Sequence, residues 1–255
     1  MNKEQIISAL KQAKENSKKR NFKQTVDLVI NLKDIDLKKA EQQVNLSVPL
    51  HYTRGKKVNV CALVGPELLA QAKDVCDNAI SVDDFGKYSN KKEIKKLAND
   101  YDYFIAQATI MPKVATVFGR VFGPKGKMPN PKAGCVVAPN ANLKPLYEKL
   151  QKTIRVVTKN DPIVQCAVGN EEMKDEEVVD NVMTIYDALI HALPNEKHNI
   201  KDIYLKLTMG KAIRIGEKVK EEKKKEEKKK KLKVEEKKPE VKKEDKPKKI
   251  KNKNQ

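Results

Sequence analysis

Val58-Asn59-Val60-Cys61-Ala62-Leu63-Val64, stopped by Gly65-Pro66, is the stretch on which the fold turns. A strand wetted on one side alternates apolar and polar residues, whereas a strand covered on both faces runs almost continuously apolar. The second pattern is present here. Downstream, Leu68, Leu69, Ala72 and Val75 have helical spacing, residues 80–83 read as a short strand and 90–98 as a helix. Tyr103-Phe-Ile-Ala106 is another apolar strand, followed by a helix around Pro112 to Phe118, a brief strand at Cys135-Val-Val137 and a helix from Leu143 to Leu150. Strands alternating with helices make a small α/β unit on a largely parallel sheet. Strand-like Ile154 to Val157 leads out of it.

The flanks have a different texture. Residues 3–18 carry Ile6, Ile7, Leu10 and Ala13 at helical spacing. Val26, Leu28, Ile30 and Leu32 then alternate with polar residues, a half-buried strand, and Val44 to Leu50 fits another. Beyond the block, Ile163 to Val168 reads as a strand, Val178 to Leu193 as a helix, and Ile203, Leu205 and Leu207 alternate in a final strand. The texture predicts a discontinuous α+β domain from 1–64 and 158–216, an α/β domain inserted at 65–157, and a Lys/Glu-rich tail at 217–255. That tail has too few apolar residues to offset its ordering entropy and reads as a solvated arm.

Charge indicates the class of partner. The chain of 255 residues carries a net +19. The tail holds 19 Lys against 10 acids, which leaves 35 basic and 25 acidic residues in 1–216. The body is basic in its own right, as expected for a protein with a polyanionic partner, most often RNA or DNA, with an anionic membrane surface second. From Tyr103 to Tyr147 there are 45 residues without one Asp or Glu, among them Lys113, Arg120, Lys125, Lys127, Lys132 and Lys144. Inside lies Gly123-Pro-Lys-Gly-Lys-Met-Pro-Asn-Pro131, which has too many turn formers for a helix or a central strand.

Other classes find little footing. Walker A chemistry needs Gly where Val121 stands and a hydroxyl where Met128 stands, and no G-x-G-x-x-G is present. Cys61, Cys76, Cys135 and Cys166 are dispersed, and with His51, His191 and His198 they form no metal-ligand spacing and no nucleophile–base pattern. They read as reduced cysteines of a cytosolic protein. Ile6 to Leu10 is too short for a signal peptide, and no apolar run approaches a membrane span. No enzyme, cofactor, metal, membrane or small-molecule substrate is expected.

Three segments remain as candidates. In Asn21-Phe-Lys-Gln-Thr-Val-Asp-Leu28, Phe22 is either core or a platform for a base, and Thr25 lies on the polar face. The Gly123–Pro131 loop is either a solvated turn or a phosphate contact or hinge. In Thr208-Met-Gly-Lys-Ala-Ile-Arg-Ile215, Gly210 permits close backbone approach, and Lys211 and Arg214 bring charge to a turn. Polar contacts from a strand edge to sugar and phosphate suit shape-based RNA recognition.

Taken in order, Phe22-Lys-Gln-Thr-Val-Asp27, Gly123-Pro-Lys-Gly-Lys-Met-Pro129 and Thr208-Met-Gly210 resemble the large-subunit ribosomal protein L-one family, over residues 1–216. Lys211 after Thr-Met-Gly, and the wording of the first motif, look like the archaeal/eukaryotic branch. The resemblance implies a base domain built from both chain ends and an inserted Rossmann-like α/β domain. It implies a cytoplasmic ribosomal protein that binds large-subunit rRNA, forms the mobile stalk beside the tRNA exit site, assists release of deacylated tRNA and represses translation by binding its own operon mRNA. Phe22, Thr25, Thr208, Met209 and Gly210 would form the RNA surface, with Lys211 added for its charge. Lys125, Gly126 and Lys127 would lie near a hinge or make secondary RNA contacts. The Lys-rich tail departs from the family body, and similar extensions occur on ribosome-biogenesis factors with the same domain. That alternative, and a nucleotide-dependent enzyme, compete with the ribosomal reading.

Overall fold

In the computed structural model, which describes residues 1–39, 42–158 and 161–216, the two textures separate into different sheets. The elements are α1 (Lys3–Glu15), β1 (Thr25–Leu32), β2 (Asn45–Pro49), β3 (Val60–Val64), α2 (Pro66–Val75), β4 (Asn78–Ser81), α3 (Lys91–Asp100), β5 (Tyr103–Gln107) and α4 (Met111–Lys125). They continue with β6 (Val136–Val137), α5 (Leu143–Lys152), β7 (Thr153–Val157), β8 (Ile163–Asn170), α6 (Asp175–Ala192), β9 (Ile200–Leu207) and β10 (Ile213–Arg214). The expected tail lies outside the described residues.

β3 is buried at all five positions because it feeds two cores. Cys61 and Leu63 join the cluster with Phe104, Phe118 and Phe122, while Val60, Ala62 and Val64 join Leu68, Ala72, Leu143 and Leu150 on the opposite face. Its neighbours are parallel, in the order β4-β3-β5-β6. β1, by contrast, alternates half-buried and buried positions. Val26, Leu28, Ile30 and Leu32 face α1 and α6 in a third cluster, which also takes Val178, Val182, Ile185 and Leu189 from α6. The antiparallel sheet has the order β10-β9-β1-β8, so the centre of this layer comes from both ends of the chain. Residues Met1–Gly216 form one compact unit around these clusters.

Two strands fall across the boundaries expected from sequence. β3 belongs to the parallel sheet, and β7 pairs with β2 and buries Ile154 and Val156 in the cluster that holds Val26 and Leu28. The α/β layer therefore starts before Val60 and ends at α5. Pairing partners decide such assignments, and a two-strand ladder such as β2–β7 leaves no local signature.

The Gly123–Pro131 reading needs a larger correction. α4 continues through Gly123 and Pro124 to Lys125. Burial of Val121 and Phe122 outweighs the amide that Pro124 cannot donate in the last turn. The helix ends at Gly126, φ 66°, where the Gly126 amide bonds Gly123 O at 2.8 Å and the Lys127 amide bonds Phe122 O at 2.9 Å. This six-to-one closure needs a left-handed residue, which Gly supplies at least cost. Only after it does the loop begin.

Candidate nucleic-acid interface

β1 and β9 run antiparallel with Val26 opposite Leu207, so the residues just beyond, Thr25 and Thr208, meet across 183 positions of sequence. The Thr25 amide donates to Thr208 Oγ1 at 3.0 Å, the two hydroxyls share a hydrogen bond of 2.8 Å, and the Thr208 amide donates to Thr25 O at 3.1 Å. Beyond Thr208 the Gly210 amide returns to Leu207 O at 2.8 Å. A Cβ on Gly210 would lie 3.3 Å from Leu207 Cβ and 3.4 Å from its amide nitrogen, tighter than side chains ordinarily accept. The turn thus presents Met209 outward.

Among the described residues three large apolar side chains are exposed: Phe22 at 52%, Met209 at 61% and Tyr52 at 44%. Two of the three sit on the first and last candidate motifs. The core reading of Phe22 does not hold. An exposed aromatic ring offers a base a stacking surface. Near it in sequence Lys18, Lys19, Arg20 and Lys23 are exposed, and so is Lys211 after the Met209 turn, though Lys23 also pairs with Glu172 at 2.8 Å. On the open face of the sheet Asp27 lies opposite Lys206. Burial pushes the Asp27 carboxyl above its ordinary range, partly offset by Lys206 and a hydrogen bond from Thr25.

Sequence reasoning gave no role to Gln24, and the structure does. It is wholly buried. Its side-chain Nε2 donates to Ser17 Oγ at 3.1 Å, Lys18 O at 3.4 Å and Glu171 Oε2 at 3.4 Å, while its backbone carbonyl accepts from the Glu171 amide at 2.9 Å. Side chain and backbone of one residue thereby tie the segment that carries Phe22 to Glu171, just past β8. Gln24→Ala unpairs buried groups and is expected to cost about 1–3 kcal/mol of folding free energy, read from urea midpoints. An unchanged midpoint would show that water replaces the amide. The only sequence signal was a polar residue two positions before Val26, on the same alternation that the buried residues of β1 follow.

Lys125, Gly126 and Lys127 lie elsewhere. Lys125 Nζ bonds Asn99 Oδ1 and, at 3.4 Å, Lys95 O, while Lys127 Nζ donates to Tyr101 O at 2.6 Å. Both lysines neutralise carbonyls at the C-terminal end of α3, where the helix dipole is negative. Burial pushes the Lys127 ammonium below its ordinary range, reinforced by Lys125 and opposed by Asp102. Gly126 O accepts from Arg155 on β7. None of these bonds reaches the Thr25–Thr208 pair.

Among the described residues the geometry marks no reaction centre. The four cysteines are buried free thiols, and burial pushes that of Cys61 up to about 12. His51 Nδ1 lies 2.6 Å from Asp180 on the surface, away from any thiol. Among the described residues no cluster of His, Cys, Asp and Glu could hold a metal, and no helix is long and apolar enough to cross a membrane.

A model of the ribosomal protein L1p/L10e family matches residues 10–211. The chain belongs to that family. Ribosomal protein L1p/L10e membership makes it a structural, non-enzymatic protein, in line with the resemblance carried by the three motifs. Among its relatives, the large ribosomal subunit protein uL1 of Methanocaldococcus jannaschii is 38% identical over 226 residues, 88% of this chain and 98% of the relative. That of Pyrococcus abyssi is 39% identical over 214 residues, 83% and 95% of the two chains. That of Methanothermococcus thermolithotrophicus is 40% identical over 216 residues, 84% and 99%. These archaeal sources agree with the branch expected from Lys211 and the first motif.

Proposed function

We propose that this chain is a cytoplasmic component of the large ribosomal subunit that binds large-subunit rRNA directly through the end of its antiparallel sheet. One observation carries the reading: two motifs at opposite ends of the sequence are hydrogen-bonded to each other through Thr25 and Thr208, with Phe22 and Met209 exposed on them. Phe22 stacks on a base, the Thr25–Thr208 edge and the Gly210 turn meet sugar and phosphate, and Lys211 adds charge. Contacts of this kind suit folded RNA, whose sugars and splayed bases are reached from a strand edge.

The same reading divides residues 1–216 into a base domain from about 1–57 and 153–216 and an inserted Rossmann-like domain between them. This division is supported by the sheet to which β3 and β7 each belong. The inserted domain gives the mobile stalk its reach, and its position beside the exit site assists deacylated tRNA in leaving. A similar fold in the operon's own mRNA competes for the same surface and represses translation. Lys125, Gly126 and Lys127 act at the junction between the domains, through Arg155, more than as direct RNA ligands.

Crosslinking on intact ribosomes is expected to map RNA contacts onto residues 20–28 and 206–214. Contacts confined to other segments would overturn the interface. On a gradient the protein should sit stoichiometrically in mature large subunits, whereas restriction to precursors would make it an assembly factor. Residues 217–255 carry a net +9. Deleting them should flatten the salt dependence of RNA binding by about 0.7–0.9 in log–log slope for each phosphate they neutralise. Selectivity for the rRNA fragment should survive, and its loss would show that the tail helps to specify the RNA.

A further inference from the structure

A cleft of about 990 Å3 opens between the strands β7 and β8 and the segment from Gly123 to Asn130. Its charged lining is Arg54, Lys125, Lys127 and Arg155 against a single acid, Asp102. Three of the four cations are already engaged. Lys125 and Lys127 hold the end of α3, and Arg155 donates from Nε to Asn45 Oδ1 at 3.2 Å and from a terminal nitrogen to Gly126 O.

Arg54 is different. Its Nε is shut off from solvent and has no hydrogen-bond partner, and among the described residues no hydrogen bond or salt bridge reaches its guanidinium. The backbone on either side of it is nevertheless clamped. Buried Asn181 accepts from the Tyr52 amide and donates to the Tyr52 carbonyl, both at 3.3 Å. Buried Asn170 donates to Gly55 O at 2.8 Å, with Gly55 at φ 72°, where a Cβ would come within 2.7 Å of the Asn170 amide. Two buried amides thus hold a short connection in place, and the side chain it carries is half-buried, with an Nε that is covered and has no partner. Burial pushes the Tyr103 phenol above its ordinary range, and the charges of Arg54 and Arg155 partly counteract the rise. Buried polar donors without partners are rare in folded proteins, and an unseen ion is one of the few explanations.

We propose that this cleft is a phosphate site in which the two terminal nitrogens of the Arg54 guanidinium grip two phosphate oxygens as a fork and Arg155 supplies the second positive charge. The guanidinium fork matches phosphate oxygens in two parallel hydrogen bonds. Phosphate suits the site better than a carboxylate because its oxygens point tetrahedrally and can meet two guanidinium groups at once, and a monoester or polyphosphate also brings more than one negative charge. Much of the wall, from Tyr103 through Cys135, comes from the stretch without a carboxylate. The phosphate is either a phosphodiester of bound RNA or a free polyphosphate or phosphate ester, and the chemistry at Arg54 is the same for both.

The test uses the full chain and two probes, sodium pyrophosphate and an rRNA fragment, with sodium chloride added to equal ionic strength. Titration of pyrophosphate followed by 15N NMR should shift the Arg54 Nε–H resonance and slow its exchange, a readout that needs no variant. Arg54→Gln should abolish the rise in Tm that pyrophosphate gives the unaltered chain. If RNA is the source instead, pyrophosphate has no effect and Arg54→Gln lowers the log–log salt slope of fragment binding by about 1. A silent Nε–H resonance together with an unchanged slope overturns the proposal. Because the pyrophosphate arm involves no RNA, failure of the rRNA reading and failure of this site are separately visible.

Discussion

Thr208→Val combined with Met209→Ala is expected to weaken binding to the stalk-rRNA fragment by about 1–3 kcal/mol, roughly 5- to 150-fold in Kd. Valine keeps the branched shape of Thr208 and removes the hydroxyl that accepts the Thr25 amide and bonds Thr25 Oγ1. Both groups freed on Thr25 lie at an exposed end of the sheet, so water can satisfy them and folding loses little. Met209 is 61% exposed, so truncating it leaves no cavity. The loss should therefore appear in RNA affinity and not in Tm. Equilibrium titration at fixed salt, with Tm measured alongside, decides it. Equal affinity in the double variant would remove the Thr25–Thr208 edge from the interface.

The opposite outcome is expected of Phe118→Ala. Phe118 is wholly buried, edge-on to Phe85 with centroids 5.1 Å apart and stacked on Phe122 at 5.2 Å. Removing such a ring costs about 3–5 kcal/mol from lost burial and the residual cavity, to which the aromatic pairing adds. Its cluster shares no residue with the one that carries Val26, Leu28 and Leu207. If the inserted domain unfolds as its own unit, urea should give an early transition in near-ultraviolet circular dichroism. RNA affinity before that transition should stay unchanged. A parallel fall in RNA affinity would mean that the two layers cooperate, and the proposed domain division would be wrong.

Much of the fold was legible because burial writes itself into residue order. β3 serves two cores and is apolar throughout, while β1 serves one and alternates. Where two rules conflicted, the reading slipped. Gly123 and Pro124 signalled a loop, but Val121 and Phe122 on the same turn had a core to fill, so helix continued to the αL glycine at 126. Lys125 and Lys127 read as a hinge element or a secondary RNA contact, and each places its ammonium on carbonyls at the end of α3. Local charge cannot reveal which acceptors folding will deliver.

From residue order alone came the basic body, the alternation of strands and helices in the central block, and the three motifs that match one family. Those are local or compositional properties, settled by periodicity and by which residues are present. Folding in three dimensions was needed to join Thr25 to Thr208, to bury Gln24, to assign β3 and β7 to their sheets, and to leave Arg54 Nε without a partner among the described residues. Each of these depends on register between strands far apart in the chain, where every backbone donor finds an acceptor whichever neighbour is chosen. The choice is then made by how the apolar faces pack.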